Sequence, residues 1–181
     1  MRAKTPRAKR TGRTGAAEDA VSLLTADHRK VEKLFKKSEK ASGHEKEALV
    51  KQICAELIVH TTLEEDIFYP ACREQGVEED AMDEAQVEHD GAKFLIADLL
   101  NQSAASDCYD AKVTVLTEYI KHHVQEEEKP RSGIFAKARA KGLDLDAIGA
   151  QLQERKESLM ADPEDLPAPT PKTIGFSAVG T

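Results

Sequence analysis

No run of this 181-residue chain approaches the roughly 18 consecutive apolar residues that a bilayer-spanning helix needs. The first fifteen residues, MRAKTPRAKRTGRTG, lack the apolar core of a secretory signal. Both absences point to a cytoplasmic protein with no membrane partner. Cysteine is scarce as well. Cys54, Cys72 and Cys108 are odd in number, far apart and free of any CxxC spacing, which argues against a disulfide framework and a zinc site and suits a reducing compartment. Alternation of β-branched and polar residues never lasts long enough to compete with a helical period, so strands are not expected.

What is present is charge, unevenly spread. The net charge is −7, yet Arg2, Lys4, Arg7, Lys9, Arg10 and Arg13 put six positive charges in the first fifteen residues and leave −13 on the rest. Such an acidic body repels nucleic acid, so DNA or RNA binding would fall to the arm and its contacts with phosphate. Without interleaved aromatics the arm specifies no sequence, and a solvated, disordered terminus over 1–17 is the favoured reading.

Four segments carry the helical period. Val21, Leu24, His28, Val31 and Phe35 mark the first, which starts either at Asp19 or at a cap nearer Thr25 or Asp27. Ile53, Leu57 and Ile67 mark the second, from His44 to about Glu74, with Pro70 expected to kink or end it. Met82, Ala85, His89, Ala92, Ile96 and Leu99 mark the third, and Val113, Leu116 and Ile120 the fourth, which follows a polar connection that offers an N-cap. These predict an all-α fold, an up-down-up-down antiparallel four-helix bundle over 18–140. A shorter helical piece follows Gly133, then a fifth helix within 141–161 packs outside the bundle, and the proline-bearing segment 162–181 reads as a flexible tail.

The stripes also carry polar groups. His28, His60, His89 and His123 occupy core positions, one per long helix, and Glu64 and Glu127 follow His60 and His123 at a spacing of four residues. That spacing turns about 400° and rises about 6 Å, so each His and Glu point the same way from adjacent turns. Two ionised carboxylates inside a bundle demand a compensating cation, and no Lys or Arg lies on these stripes near the histidines. Six nitrogen and oxygen donors exceed a tetrahedral zinc site and divide well over two ions. With Glu64 and Glu127 bridging, each ion receives two imidazoles and two carboxylate oxygens, and open positions remain for a small ligand such as O2, NO or peroxide. This chemistry fits iron, with manganese as the alternative. His44, at a turn, and His122, about 100° around the helix from His123, are expected to lie outside the donor set. Tyr69 and Tyr119 are candidate interior tyrosines within reach of a bound diatomic, against ordinary amphipathic packing.

At this point the sequence resembles the hemerythrin-like, or HHE cation-binding, family. The likeness rests on Asp27-His28, on the run from His60 to Pro70 with its H-x-x-x-E element, on Glu88-His89-Asp90, and on the run from His122 to Glu128. The resemblance implies a four-helix bundle holding a carboxylate-bridged di-iron centre that binds or senses oxygen, nitric oxide or reactive oxygen species. Oxygen-carrying members have a further histidine four residues after the third-helix ligand, where this chain has Lys93. Its set of four His and two Glu is similar to a branch implicated in repair of iron centres, although that branch's cysteine-bearing N-terminal region is missing. The expected activity is therefore sensing, scavenging or iron supply in a stress response. The alternatives are peroxidase-like, catalase-like or NO-reducing turnover, and a bundle tethered to nucleic acid by the arm.

Overall fold

In the computed structural model, residues 18–162 and 165–175 are described. The order is α1 (Ala20–Ser38), α2 (Gly43–Leu63), a π-helical turn (Glu64–Phe68), α3 (Tyr69–Glu74), α4 (Glu79–Leu100), α5 (Tyr109–Glu127), α6 (Ile134–Lys141) and α7 (Leu145–Met160), with no strand among the described residues. Short connections make α1 and α2, and α4 and α5, antiparallel neighbours. Packing of α2 on α4 and of α1 on α5 closes the four-helix bundle. Helix α7 lies against α1, α2 and the π-turn on the outside. No helix is long and apolar enough to cross a membrane among the described residues. The basic arm lies outside them.

The start of α1 is settled by a side chain. Asp19 accepts the Ser22 backbone N–H at 3.1 Å and its hydroxyl at 2.7 Å, satisfying donors that the first helical turn leaves free, so the nearer caps at Thr25 and Asp27 are not used. In contrast, no side chain of the 103–107 connection caps α5. Its N-cap residue is Cys108, in the left-handed region at φ 62°, and makes no side-chain cap bond.

Pro70 neither ends the second helix nor leaves a gap in it. Proline has no N–H, and in an α-helix its ring presses on the carbonyl four residues back. Here the turn before it widens, and the Tyr69 N–H reaches back five residues to the Glu64 carbonyl, so the helix continues through a π-turn into α3. The extra residue shifts the phase. Ile67, expected on the buried face, is only half-buried, and Phe68 is fully buried instead. The other apolar stripe positions of all four long helices are buried as the period predicts.

The interior divides into two apolar clusters. One gathers Leu24, Val59, Leu63, Phe68, Tyr69, Met82, Ala85, Phe135 and Leu152. The other gathers Val31, Phe35, Ile53, Leu57, Ile96, Tyr109, Leu116 and Ile120. On α1, His28 stands between Leu24 of the first cluster and Val31 of the second, and on α4, His89 stands between Ala85 and Ala92. A polar layer therefore crosses the bundle where the two clusters meet. Close backbone approaches fix the parts around it. A Cβ at Gly149 of α7 would meet the Glu18 carbonyl oxygen at 2.3 Å, and one at Gly133 would meet that of Glu127 at 2.2 Å.

The segment that the sequence suggests is a flexible tail is docked where it is described. The backbone N–H groups of Lys172, Thr173 and Ile174 and the Thr173 hydroxyl all donate to the carboxylate of Asp90, between 2.5 and 3.3 Å. The composition of the segment said nothing of this anchor, because Asp90 is some eighty residues away.

Candidate metal centre

Each long helix delivers one imidazole to the polar layer, and all six predicted donors are at most 4 % exposed, so water does not solvate them. They arrive as two imidazole pairs. His28 Nε2 lies 2.9 Å from His60 Nε2, and His89 Nε2 lies 3.2 Å from His123 Nε2. The two carboxylates span the pairs. Glu64 Oε2 is 3.2 Å from His60 Nε2 and 3.3 Å from His89 Nε2. Glu127 Oε2 is 3.5 Å from both His28 Nε2 and His123 Nε2. Donor atoms of His28, His60, Glu64, His123 and Glu127 all lie within 4.8 Å of one another. His89 falls outside that strict mutual limit but touches two of its members, Glu64 and His123.

The outward ring nitrogens were not part of the sequence reading. His89 Nδ1 lies 3.0 Å from Glu65, His123 Nδ1 2.9 Å from Glu88, and His28 Nδ1 2.8 Å from Glu128. His60 Nδ1 faces Asp27 at 3.9 Å, beyond hydrogen-bond reach, and has no partner, because Asp27 is drawn to Lys156 of α7. The arrangement is cyclic. The carboxylate of α1 faces the histidine of α2, that of the π-turn the histidine of α4, that of α4 the histidine of α5, and that at the end of α5 the histidine of α1. A signal was available, since Asp27, Glu65, Glu88 and Glu128 each adjoin an inner donor in sequence. Helical phasing turns each about 100° from its neighbour, toward the next helix. Cations hold the carboxylates in turn. Arg29 pairs with Glu128, and Lys93 and Lys172 reach Glu65 at 2.6 and 2.9 Å. Lys93 is buried one turn past His89, so a lysine does lie near the histidines, contrary to expectation. Its charge is engaged by Glu65.

Glu64 and Glu127 therefore keep no Lys or Arg partner among the described residues. Glu64 Oε1 and Oε2, Glu127 Oε2 and His60 Nδ1 are buried without a hydrogen bond, each at a cost of about 1–3 kcal/mol or more for a charged group. With Nδ1–H donating to a carboxylate, a histidine turns the Nε2 lone pair inward, and two lone pairs at about 3 Å repel unless a cation lies between them. Burial opposes the charged form of His60, but the Glu64 and Asp27 carboxylates override it and push its pKa up to about 10. Likewise, burial works against His123, and Glu127 and Glu88 raise its pKa well above the usual range. Burial would also raise Glu64, yet His60 and His89 hold it well below the carboxylate range. The layer is built around positive charge. Four imidazoles and two carboxylates with orphaned oxygens fit a divalent or trivalent metal.

Aromatic rings back the donors. Phe135 stacks on His28 at 5.7 Å and Tyr69 on His89 at 5.8 Å. The Tyr69 hydroxyl donates to Glu127 Oε1 at 2.8 Å; burial, then Glu127 and Glu64, raise its pKa well above the usual value and keep it protonated. Tyr119 does not lie inside: it is 47 % exposed, one helical step off the Ile120 stripe. His44 and His122 are exposed, outside the layer as phasing predicts. Cys54 and Cys72 are buried free thiols, pushed up to about 12 chiefly by burial, and Cys108 is exposed. Beside the donors, a cavity of about 10 Å³, about the space of one water, is lined by Val31, Leu57, Ile120 and Val124 together with Asp27, Thr61 and the four imidazoles.

The sequence pattern of the hemerythrin HHE cation binding domain matches residues 19–130, most of the chain and all four bundle helices. The chain belongs to the hemerythrin HHE cation-binding family. A crystal structure of a hemerythrin HHE cation binding domain-containing protein from Mycobacterium kansasii superposes on it with a TM-score of 0.64 at 21% identity, covering 82% of this chain and 93% of that one. At that identity the likeness speaks for the fold. No curated protein matches the chain. Family membership and the buried His and Glu cluster together make this a cation-binding hemerythrin-like bundle.

Proposed function

We propose that this hemerythrin-like chain holds a non-haem di-iron centre through His28, His60, Glu64, His89, His123 and Glu127, and uses it to bind, sense or scavenge O2, NO or peroxide. The observation that carries the reading is the pairing itself: two imidazole pairs, each touched by both carboxylates, with buried oxygens that nothing else satisfies. Glu64 and Glu127 are the bridging candidates, since each contacts one histidine of either pair. When bound, iron in such a nitrogen and oxygen set supplies open positions for a small ligand and one-electron chemistry.

The chain's own residues set what reaches that position. The aliphatic wall formed by Val31, Leu57, Ile120 and Val124 favours an uncharged diatomic over a hydrated anion. Tyr69 holds Oε1 of Glu127, and Glu65, Glu88 and Glu128 fix the faces of three histidines, so the donor geometry is preset before loading.

Anaerobic loading with Fe(II), metal analysis and absorption spectra before and after O2, NO or H2O2 test this. Two irons per chain with a ligand-dependent spectrum are expected. Manganese retained in preference to iron would change the metal, and no retained metal would end the reading. Multiple turnovers of H2O2 or NO would turn the binder into an enzyme.

A further inference from the structure

A cation bound for donors at most 4 % exposed must first cross the wall of the bundle. Two crevices touch the donors, and their linings differ. The enclosed space beside His28 and His60 is lined by Val31, Leu57, Ile120 and Val124 together with Thr61, the four imidazoles and a single carboxylate, Asp27, which Lys156 already engages. The other is a pocket of about 40 Å³ between α4, the end of α5 and the turn before α6. Glu84, Glu88 and Glu126 line it, with Ser132 at the rim and His123 and Glu127 as its floor.

The carboxylates are graded in depth: Glu84 is exposed, Glu88 and Glu126 are half-buried, and Glu127 is buried with one oxygen unpartnered. Donor atoms of Glu84, Glu88 and exposed His122 lie within 4.8 Å of one another, near enough to share an ion. One cation competes there, since Lys129 Nζ sits 3.2 and 3.3 Å from the oxygens of Glu126. At the rim the Gly133 N–H donates to the Lys129 carbonyl at 2.9 Å, and the backbone passes too close to the Glu127 carbonyl for a side chain at 133.

We infer that this acidic pocket is a cation-loading portal: Glu84 and Glu126 gather a divalent ion such as Fe(II) or Mn(II) from water, and Glu88 leads it to Glu127 and His123. This rests on the reading of the buried layer as a metal centre. Hard or borderline divalent ions take carboxylate oxygens readily, and an acidic cleft in a low-dielectric wall concentrates them and raises their rate of capture. Cations and neutral ligands then approach the same donors from different crevices.

The test is anaerobic stopped-flow uptake of Fe(II) by the full chain, scored as iron resistant to a chelator. The Glu84→Gln/Glu126→Gln double variant should load about tenfold more slowly at low salt, reach the same plateau, and approach the wild-type rate in high salt. Asp83→Asn, exposed on the same helix but outside the pocket, should load at the wild-type rate. Equal rates for the double variant and wild type overturn the portal while the plateau upholds the centre. If the wild-type chain takes up no metal, centre and portal fall together. Should the double variant fail to fold, Glu84→Lys alone decides: slower loading supports the portal and an unchanged rate overturns it.

Discussion

Two groups of histidine and carboxylate lie within a few residues of each other on α4 and α5, and one faces water while the other faces the bundle interior. Glu84, Glu88 and His122 cluster at the surface, where water satisfies whatever the protein does not. His123 and Glu127, one and five residues beyond His122, belong to the buried layer, where Glu127 Oε2 is left without a hydrogen bond. Residue type and spacing are alike in the two groups. The difference is in desolvation: an unpaired ion costs several kcal/mol inside the bundle and nearly nothing outside it. Proximity of ligating side chains is thus a weak sign of a metal centre, and orphaned burial is a strong one.

The largest expected effect separates the groups outright. His60→Ala or Glu127→Ala should lower iron occupancy at least tenfold, whereas His44→Ala and His122→Ala should leave two irons per chain by elemental analysis. Equal losses from both sets would erase the distinction. Metal removal should come next in size. A site loaded at a thousandfold excess over its Kd adds about 4 kcal/mol, which in a chain of this length raises Tm by roughly 10 °C. Chelation of the wild-type chain should reverse that shift in calorimetry.

A sharper form of the comparison uses Glu64→Gln. Removing one partner of a buried pair usually destabilises, but here the partners left behind are His60 and His89, which can give up a proton rather than stay charged. The variant should lose metal yet melt, without metal, no more than a few degrees from the metal-free wild type. Glu84→Gln should change neither equilibrium occupancy nor Tm. A collapse of metal-free Glu64→Gln would show that protons alone neutralise the layer well.

The inner layer was readable because a helix converts sequence spacing into direction. His28, His60, His89 and His123 sit on stripes whose period does not depend on the partner helix, and so do Glu64 and Glu127. The ring of outer carboxylates was written in the same places, beside the inner donors, but its meaning lies between helices: Glu65 acts on His89 and Glu128 on His28. One-helix phasing sends such residues to solvent. Ile67 failed for a local reason, since Pro70 forces a π-turn that an unbroken period cannot represent. Tyr119 failed because one step off the stripe suffices to expose a residue. The ring predicts a middling effect. Glu65→Gln or Glu128→Gln should weaken iron affinity about tenfold to a hundredfold in a chelator competition while the full complement still binds at saturation. No change would reduce the ring to surface salt bridges.

Asp90 supplies the smallest effect and the closest control on the principle. It is as buried as Glu64 and adjoins His89, yet its carboxylate accepts three backbone N–H groups and one hydroxyl from residues 172–174. These donors hold its carboxyl well below the usual range although burial alone would raise it. A buried carboxylate so furnished needs no metal. Asp90→Ala should free the segment, whose N–H groups can turn to water, at about 1–3 kcal/mol, and make it a site of rapid cleavage in limited proteolysis. Iron occupancy should stay at the wild-type level, because Asp90 faces the segment and not the Nε2 atoms. If occupancy fell as far as it does for Glu127→Ala, burial by itself would be the mark of a ligand, and the contrast between satisfied and orphaned carboxylates would lose its force.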